Sequence, residues 1–125
     1  AITHIQPHLE TPDTVLAVEL DLLGQHYQLL NGGPHFRLTP AVSISVECEE
    51  QAEVDRLWDA LLSGGAPLQC GWLTDRFGVS WQIIPEALPR LLRSPDAALR
   101  QRVMASMMET VKLDGPALEA AARAS

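Results

Sequence analysis

The stretch Cys70–Pro85, CGWLTDRFGVSWQIIP, holds two of the chain's three tryptophans and one of its two cysteines. It also sets Asp75-Arg76-Phe77-Gly78 between two apolar runs. Pro67–Thr74 and Val79–Ile84 read as strands joined by that four-residue turn, with its glycine at the end. Side chains alternate along a strand. Gln69, Gly71 and Leu73 are therefore expected on one face, and Cys70, Trp72 and Thr74 on the other. After the turn, Ser80 and Gln82 oppose Trp81 and Ile83. Trp81 and Gln82 cannot share a face, so one is expected toward a helix and the other toward a cleft. One tryptophan then belongs to the core, where a buried indole N–H needs a partner. The other, with Gln82, walls an apolar pocket carrying a few polar groups. Asp75 reads as a turn residue accepting from turn N–H groups, and Arg76 as an ion-pairing residue at a subunit contact.

Working upstream, Glu49–Ser63 changes period. Ala52, Val54, Leu57, Trp58, Leu61 and Leu62 recur at helical spacing, and Gly64-Gly65 supplies the stop. Ala41–Cys48 alternates as a strand, with Val42, Ile44 and Val46 on one face. Asn31–Pro40 is a loop around Gly32-Gly33-Pro34. Thr14–Leu23 alternates as a half-buried strand, and Gly24-Gln25 turns it into a second strand, His26–Leu30. Ile2–His8 reads as an earlier strand ended by Pro7. Downstream, Ser94-Pro95-Asp96 reads as a helix start with Ser94 as N-cap. Leu99, Val103, Met104, Met107, Met108 and Val111 form that helix's apolar stripe, read as core, pocket wall or dimer surface. Asp114-Gly115-Pro116 opens a last short helix.

The totals exclude several classes. With 125 residues, 46% hydrophobic and 20% charged, the chain suits one compact globular domain. A net charge of −7 with only 9 Lys and Arg argues against nucleic acid as a partner. No apolar run is long enough to span a bilayer, and the first residues lack a signal-peptide pattern. Cys48 and Cys70 form no CxxC pair or zinc spacing and read as thiols of a cytoplasmic protein.

Four segments together, NGGPHF, CEEQAEVDRLWDALL, CGWLTDRFGVSWQIIP and VMASMMETVKLDGPALEAA, resemble the PhnB-like proteins of the vicinal oxygen chelate (glyoxalase and bleomycin-resistance) superfamily. Many of these are labelled 3-demethylubiquinone-9 3-methyltransferase domains. The resemblance runs from about Thr14 to Ala122. It implies an α+β fold of paired βαβββ modules forming a curved, incomplete barrel around a cleft, with a helical C-terminal tail. It divides one domain, 1–125, into a partial first module (1–40), a second module (41–85) and C-terminal helices (86–125). The first module lacks its opening strand and helix in this chain, so roughly 25 further residues are expected ahead of Ala1. Superfamily members often pair, and an unpaired sheet edge favours association, so a homodimer is expected.

Metal-dependent members hold one divalent ion with His or Glu ligands, and the ion acts as a Lewis acid. Here the Glu position after the turn appears as Gln82, a weak neutral ligand. The His position of the second module's first strand falls at about Ala41 or Val42, which cannot ligate. His26 and Gln28 lie on the last strand of the first module. His4, His8, His26 and His35 form no HxxxH or HxH pair. No metal or other cofactor is therefore expected. Methyl transfer is not expected either, because Gly32-Gly33-Pro34 follows an antiparallel hairpin and precedes no helix, unlike a nucleotide-cofactor loop. The cleft candidates are His26, Gln28, Asn31 and His35 in the first module, and Trp72, Trp81 and Gln82 in the second. The expected function is a metal-free dimer that binds an unidentified small molecule. The alternatives are a metal-dependent lyase, isomerase or dioxygenase, and a dimeric scaffold without a ligand.

Overall fold

The computed structural model describes residues 1–124, which divide into two compact units, Ala1–Arg37 and Leu38 onward. The fold is α+β, with two open sheets and four helices among the described residues. Among the described residues, no helix is long and apolar enough to cross a membrane.

The first unit is an antiparallel meander of β1 (Ile2–Pro7), β2 (Val15–Leu22) and β3 (Gln25–Leu30), in that spatial order. Leu23 and Gly24 both take positive φ, 51° and 79°. Two such residues in a two-residue hairpin match the right-handed twist of the flanking strands. Val18 pairs with both Ile5 and Leu29, and Glu19 with both His4 and Gln28. Alternation thus gives the sheet an apolar face (Val18, Leu20, Ile5, Tyr27, Leu29) and a polar one. Of its residues only Ala17 is buried.

The second unit contains a complete βαβββ arrangement. β4 (Ser43–Cys48) leads into α1 (Gln51–Leu62), then β5 (Ala66–Pro67), β6 (Trp72–Thr74) and β7 (Ser80–Pro85). The sheet order is β4-β7-β6-β5, with β4 parallel to β7 and the other pairs antiparallel. The expected strand Pro67–Thr74 is two strands. Cys70 and Gly71 take φ of 61° and 83° and reverse the chain, so Cys70 sits in a turn and not on a strand. Leu68 N–H donates to Trp72 O and closes that turn.

α1 packs one face on the sheet. Val54 and Trp58 join Cys48, Leu73 and Ile83 in a core, with Val46, Leu57, Leu61 and Trp81 beside them. Burial raises the Cys48 thiol pKa, chiefly by desolvation. The helices α2 (Ala87–Leu92), α3 (Ala97–Met108) and α4 (Gly115–Arg123) build a second cluster in the same unit. The helical tail is thus part of the unit that holds the second sheet. The N-cap of α3 is Asp96, not Ser94, because the Asp96 carboxylate accepts from both Ala98 and Leu99 N–H. The Ser94 hydroxyl accepts from Asp96 N–H instead. The apolar residues of α3 also divide. Leu99, Val103 and Met107 pack inward, whereas Met104, Met108 and Val111 are exposed.

Gln51 ties α1 to the start of α4, donating to Leu113 O and accepting from Gly115 N–H. Beside it, Lys112 Nζ lies 2.9 Å from Asp55 Oδ1. The Lys112 hydrogen bond, then that of Gln51, holds the Asp55 carboxyl below its ordinary pKa. A carboxyl depressed on folding favours the folded state above its unfolded pKa, and the gain is lost as pH falls through the folded value. Lys112→Met should therefore move the Asp55 titration midpoint up toward an ordinary carboxylate, read by NMR. An unmoved midpoint would show that Lys112 is not the cause.

Candidate functional site

The register of the second sheet defines its two faces. Partners across a ladder share a face, and neighbours along a strand do not. Leu73 is opposite Trp81, and Trp81 is opposite Ile44. This row, with Ile83, Val46 and Cys48, lies on the α1 side and supplies the core. The other face carries Trp72–Gln82–Ser45 as one cross-strand row and Thr74–Ser80–Ser43 as the next. These two rows carry hydroxyl, amide and indole groups because Ser43 and Ser45 on β4 and Ser80 and Gln82 on β7 are polar, whereas Ile84, next on that face of β7, packs against the α2–α4 cluster.

Trp81 is therefore not on the face of Gln82. It belongs to the α1 side, and its indole N–H donates to Asp75 Oδ2 at 3.0 Å. Asp75 Oδ1 also accepts from Phe77 and Val79 N–H. One carboxylate thus holds both the turn and the tryptophan. Trp72 shares the row of Gln82. Gln82 Nε2 donates to Ser43 Oγ at 2.9 Å. Ser80 beside that pair is 2% exposed, and its Oγ has no hydrogen-bond partner among the described residues. A buried hydroxyl without a partner is costly and calls for a reason. The serines of β4 and Ser80 were not among the sequence candidates, although the alternation of Ser43, Ser45 and Glu47 in SISVEC was the signal for them.

The four remaining candidates lie in the first unit. His26 is exposed, with Nδ1 3.2 Å from Asp21 Oδ1 and Nε2 4.0 Å from Glu19 Oε2. Gln28 is exposed on the same polar face, in register with Glu19. Asn31 closes the end of the hairpin, donating from its side chain to Val15 O and from its N–H to Leu16 O. His35 is exposed in the loop that follows β3.

The donor set does not fit a divalent ion. Gln82 is a neutral amide already bonded to Ser43. Among the described residues, no three His, Cys, Asp or Glu side chains come together as a metal-binding group. Gly32-Gly33-Pro34 follows β3 of an antiparallel hairpin and leads into no helix.

A βαβββ unit with α1 on one sheet face and a polar opposite face defines the class of fold. A family model described as 3-demethylubiquinone-9 3-methyltransferase matches residues 2–84, ending on β7. A solved structure described as a PhnB protein from Bacillus cereus is 31% identical, with a TM-score of 0.61. The alignment covers 67% of this chain and 78% of that one. A second structure, of a Pseudomonas aeruginosa protein, is 26% identical with a TM-score of 0.47. It covers 61% of this chain and 65% of that one. No curated protein matches. The chain belongs to the PhnB-like, 3-demethylubiquinone-9 3-methyltransferase family.

Proposed function

We propose that the protein binds a small, partly apolar molecule without a metal, and works as a homodimer. The observation that carries the ligand reading is the second sheet's face away from α1. Trp72 and Gln82 stand there in one row, and the buried, unpartnered Ser80 hydroxyl stands in the next. Trp72 offers an apolar surface with a polar edge, and Gln82 offers both a donor and an acceptor. An indole with a few fixed polar groups suits orientation of a small ligand. The neutral donor set at Gln82 disfavours Lewis-acid chemistry there.

A thermal-shift screen of small molecules tests this reading, since a native-state ligand raises the melting temperature by mass action. Gln82→Ala should weaken a compound found that way by about tenfold, the cost of roughly one hydrogen bond. A screen with no responding compound, or responses identical in Gln82→Ala, would remove the support. Added Zn²⁺, Mn²⁺, Ni²⁺ or Fe²⁺ should leave the melting temperature unchanged. One tightly held ion per chain with a matching rise would replace this reading with a metal-dependent lyase, isomerase or dioxygenase.

A further inference from the structure

The strands of the second sheet are almost free of charge. β4, β5, β6 and β7 contain no lysine, arginine or histidine, and their one acid is Glu47. Glu47 is exposed and stands opposite Ile84, on the face of Gln82 and one row beyond it. Two cations that flank the sheet are engaged elsewhere. Arg76 lies against Gly64 past the end of α1, with its guanidinium 4.8 Å from the Phe77 ring centre. Lys112 pairs with Asp55 on α1.

We infer that the molecule held on this face is uncharged and presents a carboxamide-type edge, a carbonyl beside an N–H, on a flat ring. This rests on the ligand reading above and names its chemical class. Three observations favour it. The first is charge. An anion would meet Glu47 and no cation. Ser80 is 2% exposed, so water scarcely reaches its row, and its hydroxyl is left for a neutral partner. An ion taken out of water needs an opposite charge beside it, and these rows supply none. Glu47 is itself solvated and about 7 Å further along the strand from the Gln82 row, so a cation gains little from it. The second is the bonding pattern. Gln82 spends one N–H on Ser43 Oγ, which holds its amide in place. An amide has two N–H donors and a carbonyl acceptor, so a donor and an acceptor remain for a ligand. A carboxylate only accepts and an ammonium only donates, and either leaves part of Gln82 unmet. A carboxamide meets both. The third is Trp72, directly across from Gln82. Opposed side chains have Cβ atoms about 4.5–5.5 Å apart. A flat ring can therefore lie on the indole while its amide meets Gln82.

Benzamide, benzoate and benzamidinium share a ring and a shape and differ in charge. Each is titrated into the full chain and followed by NMR. The Trp72 indole N–H and the Gln82 side-chain amide should move with benzamide. The Trp81 indole N–H, held by Asp75, should stay. Benzamide should bind at least about tenfold more tightly than either ion, the worth of roughly one hydrogen bond. Gln82→Glu should reverse that order, because a carboxylate pairs with an amidinium through two bonds, as with a guanidinium. Circular dichroism should remain that of the wild type, because Gln82 is only half-buried and the Ser43 hydroxyl can donate to the carboxylate. Benzoate or benzamidinium binding the wild type as tightly as benzamide overturns the neutral class and leaves a ligand on this face standing. An unaltered order in Gln82→Glu overturns Gln82 as the group that reads the ligand. No movement at Trp72 and Gln82 with any of the three overturns the amide class, while the compound screen above decides the ligand reading separately.

Discussion

Gly65→Ala should destabilise the second unit by about 3 kcal/mol or more, at the upper end of what overpacking costs. A Cβ at Gly65 would overlap Thr74 O and stand 2.9 Å from Asp75 Cα and C. These are backbone atoms, so no rotamer change relieves the clash. The chain must draw away from β6, and with it β5. That strand has two residues, held through the pairs Ala66–Thr74 and Pro67–Leu73. The expected result is either a large fall in the urea midpoint or an edge strand that detaches. Gly24→Ala serves as the control. Gly24 has φ 79° and nothing within 4 Å of its absent Cβ. Its substitution costs only the left-handed backbone strain, about 1 kcal/mol. Equal losses at the two sites would show that the approach of Gly65 to β6 is not a close one.

The second large effect is expected at Asp75. Its carboxylate accepts three hydrogen bonds, two from the turn and one from the Trp81 indole. Asp75→Ala leaves all three donors without it and should cost about 2–3 kcal/mol, since removing one partner strands the other. Asp75→Asn keeps one acceptor oxygen and should lose about half of that. The Trp81 indole N–H resonance should move in both variants while that of Trp72 stays. A loss within about 0.5 kcal/mol of wild type for Asp75→Ala, as for an ordinary surface site, would rule out the three-bond account.

Much of this was legible from residue order. The Thr14–Leu30 hairpin follows from alternation broken at a glycine, and α1 follows from Val54, Leu57, Trp58 and Leu61. The Asp75–Gly78 turn declares itself by composition. The opposition of Trp81 and Gln82 also follows from period two. What alternation lacks is the label of each face, because that depends on where α1 lands. The break in Pro67–Thr74 was hidden because Cys70, a non-glycine residue, takes a left-handed conformation. At the start of α3, two cap formers on either side of Pro95, Ser94 and Asp96, compete, and only the N–H positions decide. On α3 itself Met104, Met107 and Met108 are alike in character, so hydropathy does not say which turn outward. For the candidate site, Trp72 and Gln82 were legible. The row that brings Ser43, Ser80 and Thr74 together depends on strand pairing between distant segments. So does the use of Asp75 by Trp81, which crosses a turn.

The parallel pairing of β4 with β7 has a consequence for how fast the protein acquires its shape. Ser43 meets Ser80 only after α1, β5, β6 and the Asp75–Gly78 turn have been traversed. Closing so long a segment is slow relative to local pairing, because the entropy cost precedes any reward. The meander of β1, β2 and β3 uses near neighbours in sequence and forms on the hairpin timescale, about microseconds. Yet almost all buried apolar residues lie in the second unit. The part that forms first is therefore the part with least to hold it, and the part that holds arrives last. Refolding followed at the first-unit strands should show early, reversible order, while burial of Cys48, Leu73 and Ile83 follows on the slower clock of the second unit.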